Sequence, residues 1–258
     1  MRSVLLAALL GLGLAAPTYA YPTALVNVPT AGVTPFRSYH FGLYNYVQPS
    51  LIPTSTSPYL AMGSFSIGLV PYFDLAPGVS AGAVELGVDG FYPFPSSLYP
   101  VAAAWPTDGG PLLAQPHFKL GLLQETDVLP GLAVGSYFLS LPDLSYGANM
   151  LHASATKWVT VNDLDLGQFT LTAYHGNPVA LGSSANGWMA GYYHNLPWNL
   201  YAMGDYTSGS SQISGANLAL GYSVNRTLSV TGGYFLSGRD QSENKAFLFL
   251  DWIGDLPM

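Results

Sequence analysis

Leu228-Ser229-Val230-Thr231-Gly232-Gly233-Tyr234-Phe235-Leu236-Ser237 alternates apolar residues with small or polar ones along most of its length. Successive side chains of an extended strand point to opposite faces. Leu228, Val230, Tyr234 and Leu236 therefore share one face, and Ser229, Thr231, Gly233 and Ser237 the other. The same alternation recurs in about twelve segments. They are placed at about 38–47, 59–71, 79–91, 116–126, 130–141, 148–160, 164–175, 185–195, 198–207, 212–223, 226–237 and 244–253, with ends uncertain by a few residues. Ten or fourteen strands remain compatible with the pattern.

Neighbouring segments agree on which face is polar. Val84, Leu86 and Val88 alternate with Glu85, Gly87 and Asp89, and Phe118, Leu120 and Leu122 with His117, Lys119 and Gly121. Phe169, Leu171 and Ala173 alternate with Gln168, Thr170, Thr172 and Tyr174, and Ala216, Leu218, Leu220 and Tyr222 with Gly215, Asn217, Ala219 and Gly221. The charges fall on the polar face. A basic side chain on the lipid face at mid-bilayer costs roughly 2–4 kcal/mol, so Glu85, Asp89, Lys119 and Asp205 are expected inside a barrel. Gln168, Thr170 and Asn217 join them as expected pore-lining residues.

Composition narrows the class. Of the 258 residues 49% are hydrophobic and only 8% charged, against roughly 25% charged in an ordinary soluble domain, and the mean hydropathy is +0.28. Arg2, an apolar run from Val4 to Ala16 and the small-residue end Thr18-Tyr19-Ala20 read as a secretion signal cut after Ala20. The run falls short of the roughly 20 residues a spanning helix needs; an uncleaved anchor is the alternative. No Cys follows, so no lipid-modified N-terminus is expected. Without Arg2 the chain keeps Arg37, Lys119, Lys157, Arg226, Arg239 and Lys245 against fourteen acidic residues, a net charge of −8. No basic footprint for nucleic acid is present.

The connections supply a second test. The segments around 74–78, 127–131, 161–163, 195–198 and 223–226 are tight and rich in Pro, Gly, Asn and Asp, and they follow every second strand. The longest connections, 48–58 and 92–115, lie between them. Short periplasmic turns alternating with longer outer loops are the habit of transmembrane barrels, so both termini are expected in the periplasm. Tyr21 to Phe36 reads as a short periplasmic lead-in containing Val26-Asn27-Val28-Pro29-Thr30. Loop 92–115, with Pro93, Pro95, Pro100, Pro106 and Pro111 around the apolar Val101-Ala102-Ala103-Ala104-Trp105, either folds into the mouth as a constriction or packs outside. Tyr39, Tyr72, Phe73, Trp158, Tyr192, Trp198, Tyr222 and Trp252 crowd the strand ends and are expected as interfacial girdles. A soluble β-sandwich also alternates, but it accounts for neither the low charge nor the order of short turns and long loops.

These features resemble bacterial outer-membrane β-barrel proteins of the porin-like class, over about residues 38–253 and in architecture rather than motif. The fold the resemblance implies is an all-β, transmembrane, antiparallel up-and-down barrel. Many such proteins end on an aromatic residue, whereas this chain ends Asp251-Trp252-Ile253-Gly254-Asp255-Leu256-Pro257-Met258, with the strand expected to stop near Trp252 and a short tail to follow. The function expected is passive diffusion of small hydrophilic solutes, with Glu85, Asp89 and Asp205 lending a weak cation preference. Twelve strands about 4.8 Å apart and tilted by about 40° close at a backbone radius of about 12 Å. Small inward residues would leave a lumen a few ångströms across; inward aromatics such as Tyr44, Tyr174 and Tyr201 would fill it. A structural, non-conducting barrel and an uptake barrel for apolar ligands are the alternatives. The partners expected are outer-membrane lipid, small solutes and further copies of the chain in a homo-oligomer.

No enzymatic role is expected. His40, His117, His152, His175 and His194 show no metal-ligand spacing, and no cofactor is expected. His152 and Ser154, two apart on one strand, share a face. This spacing resembles that of outer-membrane phospholipase A, a twelve-stranded barrel. That family follows its Ser with Asn-Gly where this chain has Ala155-Thr156, its pair faces lipid where this one is expected to face inward with Thr156, and no Asn is placed to orient His152.

Overall fold

The computed structural model describes residues 24–47, 59–93, 113–139, 149–181, 184–211, 213–241 and 244–257. The signal segment, the connections 48–58 and 94–112 and the expected cut after Ala20 lie outside them. Twelve strands form a closed wall: β1 (Ser38–Val47), β2 (Tyr59–Val70), β5 (Ala83–Pro93), β6 (Leu113–Leu123), β7 (Gly131–Tyr137), β8 (Met150–Val161), β9 (Leu164–His175), β10 (Asn186–Asn195), β11 (Leu200–Thr207), β12 (Gly215–Ser223), β13 (Leu228–Ser237) and β14 (Lys245–Asp255). Each pairs antiparallel with the next, and β1 pairs with β14 from Ser38↔Asp255 to Val47↔Ala246. The order is that of an up-and-down barrel with no free edge. In hydrocarbon no water satisfies exposed backbone groups, so closure is what lets strands cross.

Several boundaries shift by three or four residues: β6 runs Leu113–Leu123 rather than about 116–126, and β7 stops at Tyr137 rather than near 141, with Phe138 taking a left-handed φ of +56°. Two further differences have local reasons. The expected strand 79–91 is broken at Gly82, whose φ is +90° and whose missing side chain makes room for the Phe73 ring. The residues before it form a small separate hairpin, β3 (Phe73–Ala76) with β4 (Val79–Ala81), turning at Pro77 and Gly78. At the C-terminus β14 runs to Asp255, beyond the expected stop near Trp252, because Ser38 and Tyr39 of β1 pair with Asp255 and Gly254. The tight turns use left-handed backbone: Asn162 and Asp163 (φ 49° and 64°) join β8 to β9, and Trp198 and Asn199 (φ 62° and 59°) join β10 to β11. Two successive positive φ values are those of the hairpin turn whose twist matches the strands.

The polarity of the wall is inverted relative to a soluble domain. Leu218 is 64% exposed and Leu171 60%, and Phe41, Leu86, Phe118, Leu220 and Leu248 are also exposed. Glu85 and Lys119 are each 1% exposed, and Ser66, Asp89, Thr172 and Asn217 are buried. A sandwich would bury the apolar set and wet the polar one. Exposed aromatics mark both ends: Phe73, Tyr192, Trp198, Tyr222 and Trp252 at the end with the tight turns, and Trp188 with Tyr206, rings 5.3 Å apart, at the other. Trp158, expected in a girdle, faces inward against Tyr193 at 6.1 Å. No described helix is long and apolar enough to cross a membrane.

A lysine in place of Leu171, outward at the middle of β9, should lower the unfolding free energy in lipid vesicles by about 2–4 kcal/mol. Denaturant titration of the refolded barrel measures it, and an unchanged midpoint would mean that this face meets water.

Candidate functional site in the barrel interior

The segment expected as a lead-in outside the wall runs through the lumen. Residues 24–36 carry no charge, and Leu25, Val28, Thr30, Ala31 and Thr34 are buried, Val28 with 0% exposure. The backbone is irregular, bridged on itself between Ala24 and Pro29 and to the wall between Phe36 and Gly68. It enters at the tight-turn end. There Arg37, at a φ of +63°, turns the chain into β1, and its amide donates to Gly68 O at 3.0 Å. A Cβ on Gly68 would strike the Pro35 and Thr34 carbonyl oxygens, so glycine here makes the close approach feasible.

Inward polar side chains meet this segment one after another. Glu85 accepts from the Thr34 amide at 2.7 Å and the Thr34 hydroxyl at 2.9 Å, and Ser66 lies 3.0 Å from that hydroxyl. Lys119 Nζ donates to Gly32 O at 2.8 Å. The Ala31 amide donates to Thr156 Oγ1 at 2.8 Å, and Ser154 and Thr172 both donate to Pro29 O at 2.9 Å. Asp205 accepts from the Asn27 amide at 2.8 Å and from Asn217 Nδ2 at 2.6 Å, with the amides of Val26 and Val28 beside it. Tyr46 donates to Asn27 Oδ1 at 3.2 Å. These partners sit on β1, β2, β5, β6, β8, β9 and β11, so the segment crosses the lumen rather than lining one wall.

The rest of the interior is packed in three groups. On the β8–β11 side Leu25 and Val28 join Met189, Met203, Tyr174 and Leu181 in an apolar cluster, with Leu181 supplied by the helical turn α1 (Pro178–Leu181) between β9 and β10. Tyr44, Tyr46, Phe247 and Phe249 pack together from β1 and β14, with Phe247 and Phe249 4.6 Å apart. The third group is charged: His117 Nδ1 lies 3.0 Å from Asp89 and its Nε2 3.9 Å from Glu85, and Tyr137 is sandwiched between the rings of His117 and His152 at 5.3 and 5.2 Å. Inward glycines do not leave space open. His117 lies over Gly87, His152 over Gly135, Tyr201 over Gly221 and Phe247 over Gly233. At the tight-turn end Tyr72, expected in a girdle, folds over the inward Gly121; burial, with the Glu85 carboxylate adding to it, pushes its phenol up to about 12, so it stays neutral.

The seven residues expected to line a pore are all buried in this interior: Glu85, Asp89, Lys119, Gln168, Thr170, Asp205 and Asn217. Glu85, Lys119 and Asp205 hold the segment directly. Asn217 acts through Asp205, Thr170 through Thr156 at 3.0 Å, and Asp89 holds His117. Gln168 Oε1 is a buried acceptor without a partner among the described residues. Tyr174 and Tyr201 are buried inward and Tyr44 is half-buried, as the filled alternative required. The constriction expected within loop 92–115 lies outside the described residues. Sequence reasoning missed Ser66, Ser154, Thr156 and Thr172 as contacts of the segment. The available signal was its lack of charge, unusual for a tract outside the wall.

His152 Nδ1 and Ser154 Oγ are 3.0 Å apart. With the Ser154 proton given to Pro29 O, the ring nitrogen donates to the hydroxyl, the reverse of what a general base requires. His152 Nε2 is buried without a partner among the described residues. No described group of three or more His, Asp or Glu could hold a metal ion.

No family model and no curated protein matches the chain. Among solved structures it is similar to the Salmonella typhi outer membrane phospholipase dimer with bound calcium, at 12% identity over 93% of this chain and 94% of that one, TM-score 0.46. It is also similar to Salmonella typhi OmpF in complex with daunomycin, at 8% identity over 84% and 97%, TM-score 0.39, and to a mutant Rh. blastica porin, at 9% over 84% and 98%, TM-score 0.40. These likenesses are weak, and the architecture stands on the chain's own strand register and inverted polarity. By these the protein is a closed twelve-stranded antiparallel β-barrel of the transmembrane type, porin-like in architecture.

With no native cysteine, a single Ala31→Cys reports whether the segment is inside. It should react slowly with a water-soluble thiol reagent. A second change, Gly68→Ala, should speed labelling about tenfold by displacing the segment, the equivalent of about 1.4 kcal/mol. Fast labelling of the single variant would place residue 31 in open water.

Proposed function

We propose that the protein resides in the bacterial outer membrane as a barrel held closed by its own N-terminal segment, and that it admits small hydrophilic solutes only when that segment withdraws. The supporting observation is the crossing of the lumen by residues 27–34, pinned at one end to Glu85 and at the other to Asp205. An apolar outer face with aromatics at both ends supports the membrane assignment. In the released state Glu85, Asp89 and Asp205, against Lys119, leave the lumen net negative and favour cations. A permanently closed barrel with a structural role is the second reading, favoured by the apolar packing of Leu25 and Val28 on Met189 and Met203. We read the protein as non-enzymatic, because the Ser154 hydroxyl is committed to Pro29 and faces the lumen, away from lipid esters.

In planar bilayers the mature chain should be nearly silent, and a variant lacking residues 24–35 should conduct steadily with cations favoured. Steady conduction by the mature chain would remove the closed state, and silence of both would select the structural reading. Lipid hydrolysis should stay at background in the mature chain and be unaltered in Ser154→Ala; activity abolished by that change would make the pair catalytic.

A further inference from the structure

We propose that the lumen is a receptor for short, uncharged peptides in a non-helical conformation, occupied in cis by residues 24–36, and that such peptides are the solute class the released barrel takes up. The proposal rests on the reading that the segment can leave. The wall recognises the segment chiefly through its main chain. Three of its amides, of Asn27, Ala31 and Thr34, donate to Asp205, Thr156 and Glu85. Two of its carbonyls, of Pro29 and Gly32, accept from Ser154, Thr172 and Lys119. Among its side chains, Asn27 and Thr34 bond to the wall directly. Amides and carbonyls are common to every peptide, so this part of the recognition tolerates sequence.

The remaining contacts select side chains. Leu25 reaches over Gly191, where a Cβ would meet it, and Val28 lies on the same glycine. Pro29 is fully buried, and its carbonyl, flanked by a ring without an amide donor, takes two hydroxyl donors. The preferred ligand therefore carries two apolar residues three apart, a proline after the second, and no charge across the following five positions. An uncharged ligand is also what the interior demands. With a peptide main chain in the segment's place, Glu85 and Asp205 meet its amides and Lys119 its carbonyl as they meet the segment's, Asp89 stays on His117, and a side-chain charge brought in by the ligand would have to be desolvated without a partner. The alternative ligand class, sugars, would need hydroxyl-pairing side chains spread over one face. Here the donors and acceptors alternate along a line that follows a polypeptide.

The test uses the variant lacking residues 24–35, its folding checked by heat-modifiable gel mobility, and a fluorescent peptide of residues 24–36. Anisotropy should show saturable binding, and the unlabelled peptide should block the variant's current over the same concentrations. Asp205→Asn in the wall should weaken binding about tenfold, the loss of a charge-assisted contact to backbone amides. A peptide of the same composition with Leu25, Val28 and Pro29 moved should bind more weakly still. If the deletion does not fold, the full chain is folded first and then cut at a protease site inserted after Phe36, and exchange of the retained fragment with labelled peptide is followed. Saturable binding or exchange supports the receptor whether or not the barrel conducts. A folded variant or cut barrel that takes up no peptide overturns it, while conduction by the same variant would leave the closed-barrel reading standing.

Discussion

The pairing of β1 with β14 is the constraint from which the rest follows. Ten residue pairs from Ser38↔Asp255 to Val47↔Ala246 remove the last free edge. A spanning strand left unpaired in hydrocarbon exposes several polar groups, each at a cost of several kcal/mol. Once the sheet is closed, the alternation of side chains sorts them into two environments. Leucines and phenylalanines lie outside, and whatever the sequence places on the other face must coexist inside a cylinder about 12 Å in backbone radius.

The interior is a second problem created by the first. Glu85, Asp89, Lys119 and Asp205 are kept off the lipid only to be buried together. Buried polar groups without partners are destabilising by roughly 1–3 kcal/mol each. The segment 24–36 answers this with a polypeptide main chain, which supplies amides to the carboxylates and carbonyls to the hydroxyls and the ammonium. Its entry needs Gly68 for clearance and a left-handed Arg37 for direction. Closure of the lumen is therefore built from the same residues that a simple pore would have used to conduct. Under the proposed function, solute passage is a matter of what competes with the segment.

The wall was legible in the sequence because strand alternation is a local property. Glu85 and Leu86 had to face opposite ways whatever else the chain did, and the tight turns around 161–163 and 195–198 carry their own chemistry, although the second extends to Asn199 and delays the next strand to Leu200. Breaks in the pattern were less legible. Gly82 ends a strand because Phe73 needs its space. Trp158 turns inward because its position on β8 shares a face with Thr156, a matter of phase that its aromatic character did not reveal.

The sequence by itself determined the up-and-down order of the strands, the inverted polarity and the identity of the buried charges, since each follows from the two-residue period and the cost of placing charge in lipid, while the count of twelve was fixed only by closure of the wall. Tertiary structure alone decided what those charges touch. Glu85 and Thr34 are 51 residues apart and Asn27 and Asp205 are 178. Contacts of that kind have no period, and depend on which strands the closed wall places around the segment. The glycines show the same division. Their small size was readable, but only the packed interior made them seats for histidine, tyrosine and phenylalanine rings, because an inward ring in a narrow cylinder must lie flat on a neighbour that lacks a side chain.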